Sequence, residues 1–176
     1  MKIALFSDIH ANLLAFEAML EDLDSQNPDA VYCLGDLVGY HIYPNEVINE
    51  IRRRAIGTIK GNHDEKVEKL TTTAQNLNEP GKNHAYHLIS PEDREYLKTL
   101  PTHMKLEYKL QSGPLNIVFA HGSTRSIDEY VLVDTDEQYV LDMMQEANAD
   151  MLFVGHSHKP YHRILRGDNN ELKHVM

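Results

Sequence analysis

The stretch K-I-A-L-F-S-D-I-H-A-N-L-L-A-F-E-A-M-L-E-D-L-D, residues 2–24, sets the frame for the whole chain. Ile3 to Phe6 is a short apolar run that reads as a buried strand. Ser7 to His10 is polar. Asn12 then stands where a helix N-cap belongs, and Leu13, Phe16, Leu20 and Leu23 share one helical face. Asn27-Pro28 stops that helix. The pattern repeats downstream. Ala30 to Leu34 is a second apolar run, ending in Gly-Asp. A helix opens near Pro44, a favourable first-turn residue, and carries Val47, Ile48 and Ile51. Ala55 to Ile59 is a third strand, ending in Gly-Asn-His-Asp. Strand–helix–strand–helix–strand predicts parallel βαβ units.

The remainder is less uniform. Residues 65–82 are polar and rich in Thr and Asn, and read as a helix fraying into a loop. Ser90-Pro91-Glu92-Asp93 is an N-cap, a first-turn proline and two acids, opening a helix to Leu100. Met104 to Leu110 and Leu115 to Ala120 flank Ser112-Gly113-Pro114, which predicts a hairpin. Residues 134–148 form an amphipathic helix with Tyr139, Val140, Met143, Met144 and Ala147 on one side. Met151 to Val154 is a further buried strand. Tyr161 to Leu165 and Glu171 to Val175, split by residues 167–170, predict a last hairpin. No repeat, linker or domain boundary stands out, so a single domain over residues 1–176 is expected.

Composition narrows the function classes. Apolar residues make up 41% of the chain, enough for a sizeable core. The net charge of -10 disfavours a broad basic surface, so no stable nucleic-acid complex is expected. The lone cysteine, Cys33, lies in the apolar run A-V-Y-C-L and reads as a core thiol. Without a disulfide framework, without a signal-peptide pattern at the start and without an apolar run of membrane-spanning length, a cytoplasmic location and no membrane association are expected.

The 11 histidines are informative by position. The first strand is followed by Asp8 and His10, the second by Asp36, and the third by Asn62, His63 and Asp64. The hairpin strand is followed by His121, and the strand at 151–154 by His156 and His158. In α/β proteins, ligands bind outside the carboxyl ends of strands, where such loops converge. Imidazole, carboxylate and amide donors suit first-row divalent metals, and the lack of thiolates argues against a closed structural zinc site. Each pair with spacing i, i+2 faces one side if the backbone is extended. Taken singly, D-x-H is mostly coincidence, G-D a turn, and H-x-H a solvated loop. Their ordered recurrence at five strand ends defeats those readings together.

The set D-x-H, G-D-x-x-G, G-N-H-D, H and G-H-x-H resembles the calcineurin-like metallophosphoesterase superfamily, small bacterial and archaeal phosphodiesterase-like members in particular. The likeness extends to S-D-I-H-A-N-L-L-A-F-E-A and G-D-L-V-G-Y-H-I-Y-P-N-E-V-I and covers roughly residues 1–160. It implies a four-layer α/β/β/α sandwich, here in a form lacking the closing C-terminal strands. It implies two divalent metal ions, of Mn, Fe, Ni, Co or Zn. Asp8, His10, Asp36 and His158 would hold one; Asp36, Asn62, His121 and His156 would hold the other. His63 would act on the substrate as a general acid or donor, and Asp64 would orient it. The implied reaction is hydrolysis of a small-molecule or nucleotide phosphodiester by a hydroxide bridging the two metals. A phosphomonoesterase is the alternative, and a non-catalytic interaction scaffold of the same fold is the rival from another class. Family phosphoprotein phosphatases carry Arg after G-D and read G-N-H-E. This chain reads G-D-L-V-G-Y and G-N-H-D. Arg125 is a candidate phosphate contact or a surface residue, while His41, His84 and His87 are expected to be solvated. Relatives of this type continue past the last hairpin with an N-P-G-S-like segment, so a truncated or naturally short chain is expected.

Overall fold

The computed structural model describes residues 1–73, 81, 83–167 and 171–176. The expected segment 65–82 lies partly outside them, and of the expected turn at 167–170 only Gly167 lies within them. Two compact units are present, Met1–Leu100 and Pro101–Met176.

The first unit is built on β1 (Ile3–Phe6), β2 (Ala30–Cys33) and β3 (Gly57–Thr58), all parallel in the order β1-β2-β3. Between them run α1 (Leu13–Gln26) and α2 (Pro44–Arg53), as the βαβ pattern predicts. Asn12 caps α1, its Oδ1 accepting from the Ala15 N–H at 3.3 Å. A cap of this type is worth about 1 kcal/mol. Asn27 ends α1 in the left-handed region, φ 46°. β3 is shorter than the apolar run 55–59, because Ala55 takes a positive φ of 52° and cannot pair as a strand residue. After β3 come α3 (Asn62–Lys66), a 3₁₀ turn (Val67–Lys69), the single turn α4 (His84–His87) and α5 (Pro91–Thr99). Ser90 caps α5 by accepting from the Asp93 N–H at 3.1 Å, with Pro91 at its start. Phe16, Leu20, Val47, Ile48, Ile51, Leu37 and Leu97 form the core of this unit. Cys33 belongs to it, and burial pushes its thiol pKa well up.

The second unit contains β4 (His103–Leu110), β5 (Gly113–Ala120), α6 (Glu137–Glu146), β6 (Met151–Val154), β7 (Arg163–Arg166) and β8 (Leu172–Val175). Its sheet order is β4-β5-β6-β8-β7. β5, β6 and β8 are parallel neighbours, while β4 and β7 pair antiparallel at the two edges. The β4–β5 turn is Gln111-Ser112, because Leu110 pairs with Gly113 and Pro114 with Lys109. The expected Ser-Gly-Pro turn is therefore displaced by one residue. Pro114 is tolerated because β6 pairs with β5 only from Ile117 onward, so no ladder bond is asked of its nitrogen. α6 is shorter than the expected 134–148, because Asp136 caps it by accepting from the Tyr139 N–H at 2.9 Å. Val140, Met143, Met144, Leu152 and Val175 pack into this unit's core. The whole is a mixed α/β fold with two sheets. Among the described residues no helix is long and apolar enough to cross a membrane.

Candidate functional site

In the first unit the strand-end loops are tied together by their backbones. The N–H groups of Asp8, His10 and Ala11 donate to the carbonyls of Gly35 (3.1 Å), Asp36 (2.9 Å) and Leu37 (2.8 Å). Asp8, His10 and Asp36 all have left-handed backbones, with φ of 59°, 51° and 56°. Asp8 and His10 are thus brought together by left-handed turns and not by extended backbone, which corrects the simple i, i+2 expectation. Non-glycine residues in this region cost of order 1–3 kcal/mol each and cluster where function holds them.

His10 is buried, and its Nδ1 lies 3.1 Å from the carbonyl of Val38. A carbonyl only accepts, so Nδ1 carries the proton, and in the neutral ring Nε2 has the lone pair. That Nε2 faces Asp8 Oδ1 at 3.9 Å and Asp36 Oδ2 at 3.7 Å. Two carboxylate oxygens and an imidazole nitrogen thus converge on one spot. This N/O donor set fits a first-row divalent ion, and the Val38 carbonyl supplies the outer contact that fixes a ligating histidine's tautomer. His10, Asp36 and His63 also offer ligand atoms all within 4.8 Å of one another.

Asp36 Oδ1 accepts from the His63 N–H at 2.8 Å, which anchors the start of α3 to the Gly-Asp loop. The His63 ring lies 4.7 Å from that of His10 and 4.8 Å from that of Tyr40. Gly39 makes room for it: at φ +105°, a Cβ there would sit 2.5 Å from His63 Nδ1. Asp64, expected to orient His63, uses its carboxylate on the backbone. Oδ2 accepts from Asp36 N (2.9 Å) and Gly61 N (2.9 Å), and Oδ1 from Leu37 N (3.0 Å) and Val38 N (3.3 Å). It braces the loop that carries Asp36. At His63 Nδ1 stands instead the Tyr86 hydroxyl, 2.5 Å away. Burial above all, then the charges of Asp36, Tyr40 and Asp64, pushes the Tyr86 pKa up to about 12.

In the second unit, His121 follows β5 and is fully buried. Its carbonyl accepts from the Gly155 N–H at 2.8 Å, joining the loops after β5 and β6. The rings of His121 and His156 are 5.2 Å apart, and Tyr130 stacks on His156 at 4.2 Å. His156 and His158 are again left-handed, φ 63° and 54°, with Ser157 between them donating its N–H to Gly155 at 2.6 Å.

Other expectations resolve differently. Arg125 is held bidentate by Glu146, at 2.9 and 2.7 Å, and its guanidinium lies over the Tyr139 ring, so it is a structural ion pair. His41 is exposed, as expected. His87 is buried beside Thr72, its Nδ1 3.0 Å from the hydroxyl, which corrects its reading as solvated. Burial, then the nearby Arg94, lowers its pKa. Tyr86, Tyr40 and Gly39 were not selected by the sequence reading. G-D-L-V-G-Y placed the last two beside Asp36, whereas nothing in N-H-A-Y-H-L tied Tyr86 to His63.

Comparison with known proteins identifies the family. A family model of calcineurin-like phosphoesterases matches residues 1–160. An uncharacterised protein of Methanocaldococcus jannaschii is 33% identical over 167 residues, covering 90% of this chain. The chain spans 63% of that protein's length. The crystal structure of a metallophosphoesterase from Sphaerobacter thermophilus superposes with a TM-score of 0.71 at 28% identity, covering 98% of this chain and 67% of the other. A hypothetical protein from Pyrococcus horikoshii OT3 shares the fold, with a TM-score of 0.69 at 23% identity over 99% of this chain and 75% of its own.

Proposed function

The chain belongs to the calcineurin-like phosphoesterase family, and from that premise we propose that it is a metal-dependent hydrolase of a small-molecule or nucleotide phosphodiester. Both units act as one catalytic domain, a reading supported by the family match running across the boundary at Leu100. The motifs assign Asp8, His10, Asp36, Asn62, His121, His156 and His158 to two divalent ions. When bound, such ions supply Lewis acidity, lowering the pKa of water from 15.7 toward ~7 and offsetting charge on phosphoryl oxygens.

The chain's own residues do the rest. Asp8 and Asp36 supply negative charge beside Nε2 of His10. Asp64 holds the Gly-Asp loop in register through its four backbone contacts. His63 donates from Nε2 to the leaving oxygen, with Gly39 leaving it room. The observation that carries this reading is the convergence in one unit of an imidazole lone pair, two carboxylates and a second imidazole set beside them. A diester is favoured over a monoester dianion because Arg125, the cation considered for a phosphate clamp, is committed to Glu146.

The test is turnover of bis-p-nitrophenyl phosphate and p-nitrophenyl phosphate by chelator-stripped protein, resupplied with Mn, Zn, Co or Ni singly. No turnover when stripped, recovery with at least one ion and preference for the diester are expected. Inertness toward both esters with every ion would refute the reading and favour an interaction scaffold.

A further inference from the structure

We infer that Tyr86 is a positioning residue for His63: its hydroxyl donates to His63 Nδ1 and holds the ring in the tautomer with its proton on Nε2. The two atoms are 2.5 Å apart and the rings are nearly parallel, 21° between planes. Either partner of such a bond can donate, so the direction needs an argument. Tyr86 is buried, and among the described residues its hydroxyl has no second hydrogen-bond partner. Were it to accept from an Nδ1–H, its own proton would be buried without an acceptor, which is unfavourable. Donation to Nδ1 avoids that cost, and a neutral imidazole accepting at Nδ1 carries its hydrogen on Nε2.

The tyrosine is mounted rigidly. The Arg94 guanidinium donates to the carbonyl of Tyr86 itself, and also to those of Ile89 (3.2 Å), Val67 (3.3 Å) and Leu70 (3.1 Å). Lys66 Nζ lies 4.5 Å from the ring centroid on its face. One arginine thus fixes the single turn α4 against the segment after α3, so the hydroxyl reaches His63 from a fixed point.

The consequence is a division of labour between neighbours. His10 and His63 are 4.7 Å apart, yet a carbonyl at Nδ1 of one and a hydroxyl at Nδ1 of the other give opposite tautomers. His10 presents a lone pair suited to a metal. His63 presents a proton suited to an ester oxygen, and does not serve as a metal ligand. The catalytic half of this statement rests on the phosphoesterase reading; the proton's position does not.

The experiment uses the 176-residue chain in Zn-containing buffer, with long-range ¹H–¹⁵N spectra of the histidine rings, the His63 signals being identified by their loss in His63→Ala. The wild type is expected to show the Nε2–H pattern at His63, and Tyr86→Phe to shift it toward a mixture. In parallel, Tyr86→Phe is expected to lower kcat about 10-fold or more on a diester with a phenolate leaving group, but under about 3-fold on the p-nitrophenolate ester, with KM little changed, as loss of acid assistance requires. An Nδ1–H pattern in the wild type, unchanged ring shifts in Tyr86→Phe, or equal rate losses on both esters would overturn the inference. If Tyr86→Phe does not fold, the wild-type spectrum alone decides it. If no ester is turned over, the phosphoesterase reading fails while the spectrum still decides the tautomer.

Discussion

Replacing Asp64 by Asn separates two accounts of this residue. The carboxylate is fully buried and accepts from four backbone N–H groups, two at each oxygen, at 2.9 to 3.3 Å. Asparagine has the same shape, and its one oxygen can still serve two of those donors. Its amide group then points hydrogens at the other two. Two bonds to a charged acceptor are lost, at about 1.5–3 kcal/mol each, giving about 3–6 kcal/mol in total. That is a large fraction of the 5–15 kcal/mol typical of a folded protein. The assay is urea unfolding followed by far-UV circular dichroism. With a slope of about 2 kcal/mol/M, the midpoint should fall by roughly 1.5–3 M. Metal uptake should fall with it, because the braced loop carries Asp36. A midpoint shift below about 0.5 M with only turnover affected would refute the brace and return Asp64 to an orienting role for His63.

Three further outcomes follow from local geometry. Gly39→Ala puts a Cβ 2.5 Å from His63 Nδ1 at a backbone φ of +105°; diester turnover should fall at least ~10-fold, measured by steady-state kinetics, as His63 is displaced. His158 sits at φ 54°, so in chelator-treated protein His158→Gly should be more stable than His158→Ala by about 1 kcal/mol in thermal or urea unfolding. Equal stabilities would mean the left-handed backbone is not strained there. Glu50 is held at a pKa of about 2 by hydrogen bonds from Arg53 and Arg54, below its ordinary 4.5. A depressed carboxylate contributes stability above its unfolded pKa and loses it as pH falls through the folded one. Glu50→Gln should therefore cost about 1 kcal/mol at pH 7 after solvent screening, and the difference should vanish between pH 4.5 and 2.

The parallel β1–β3 arrangement was legible because each apolar run is short, bounded by Gly-Asp or Asn-Pro, and separated by a helix-period pattern. The candidate ligands were legible because polar residues recur at those same strand ends. What lay beyond the sequence was contact made across long separations. Asp64 finds the N–H groups of residues 36–38, and Tyr86 finds His63 across 23 positions. No local pattern encodes either. The backbone at Asp8, His10, Asp36, His156 and His158 was also hidden, since sequence signals left-handed conformation through glycine and these positions carry Asp and His instead. The β4–β5 turn was misplaced by one residue because Pro114 reads as a breaker, yet sits in β5 where no ladder bond is required.

The account turns on His10 and Asp36 being metal ligands while His63 is a proton donor. Metal content by elemental analysis and diester turnover, measured side by side on wild type, Asp36→Asn and His63→Ala, tests that division directly. The account predicts that Asp36→Asn loses bound metal and activity together, whereas His63→Ala keeps the wild-type metal content and loses at least ~100-fold in kcat. Loss of metal from His63→Ala, or a near-wild-type rate in that variant, would contradict it.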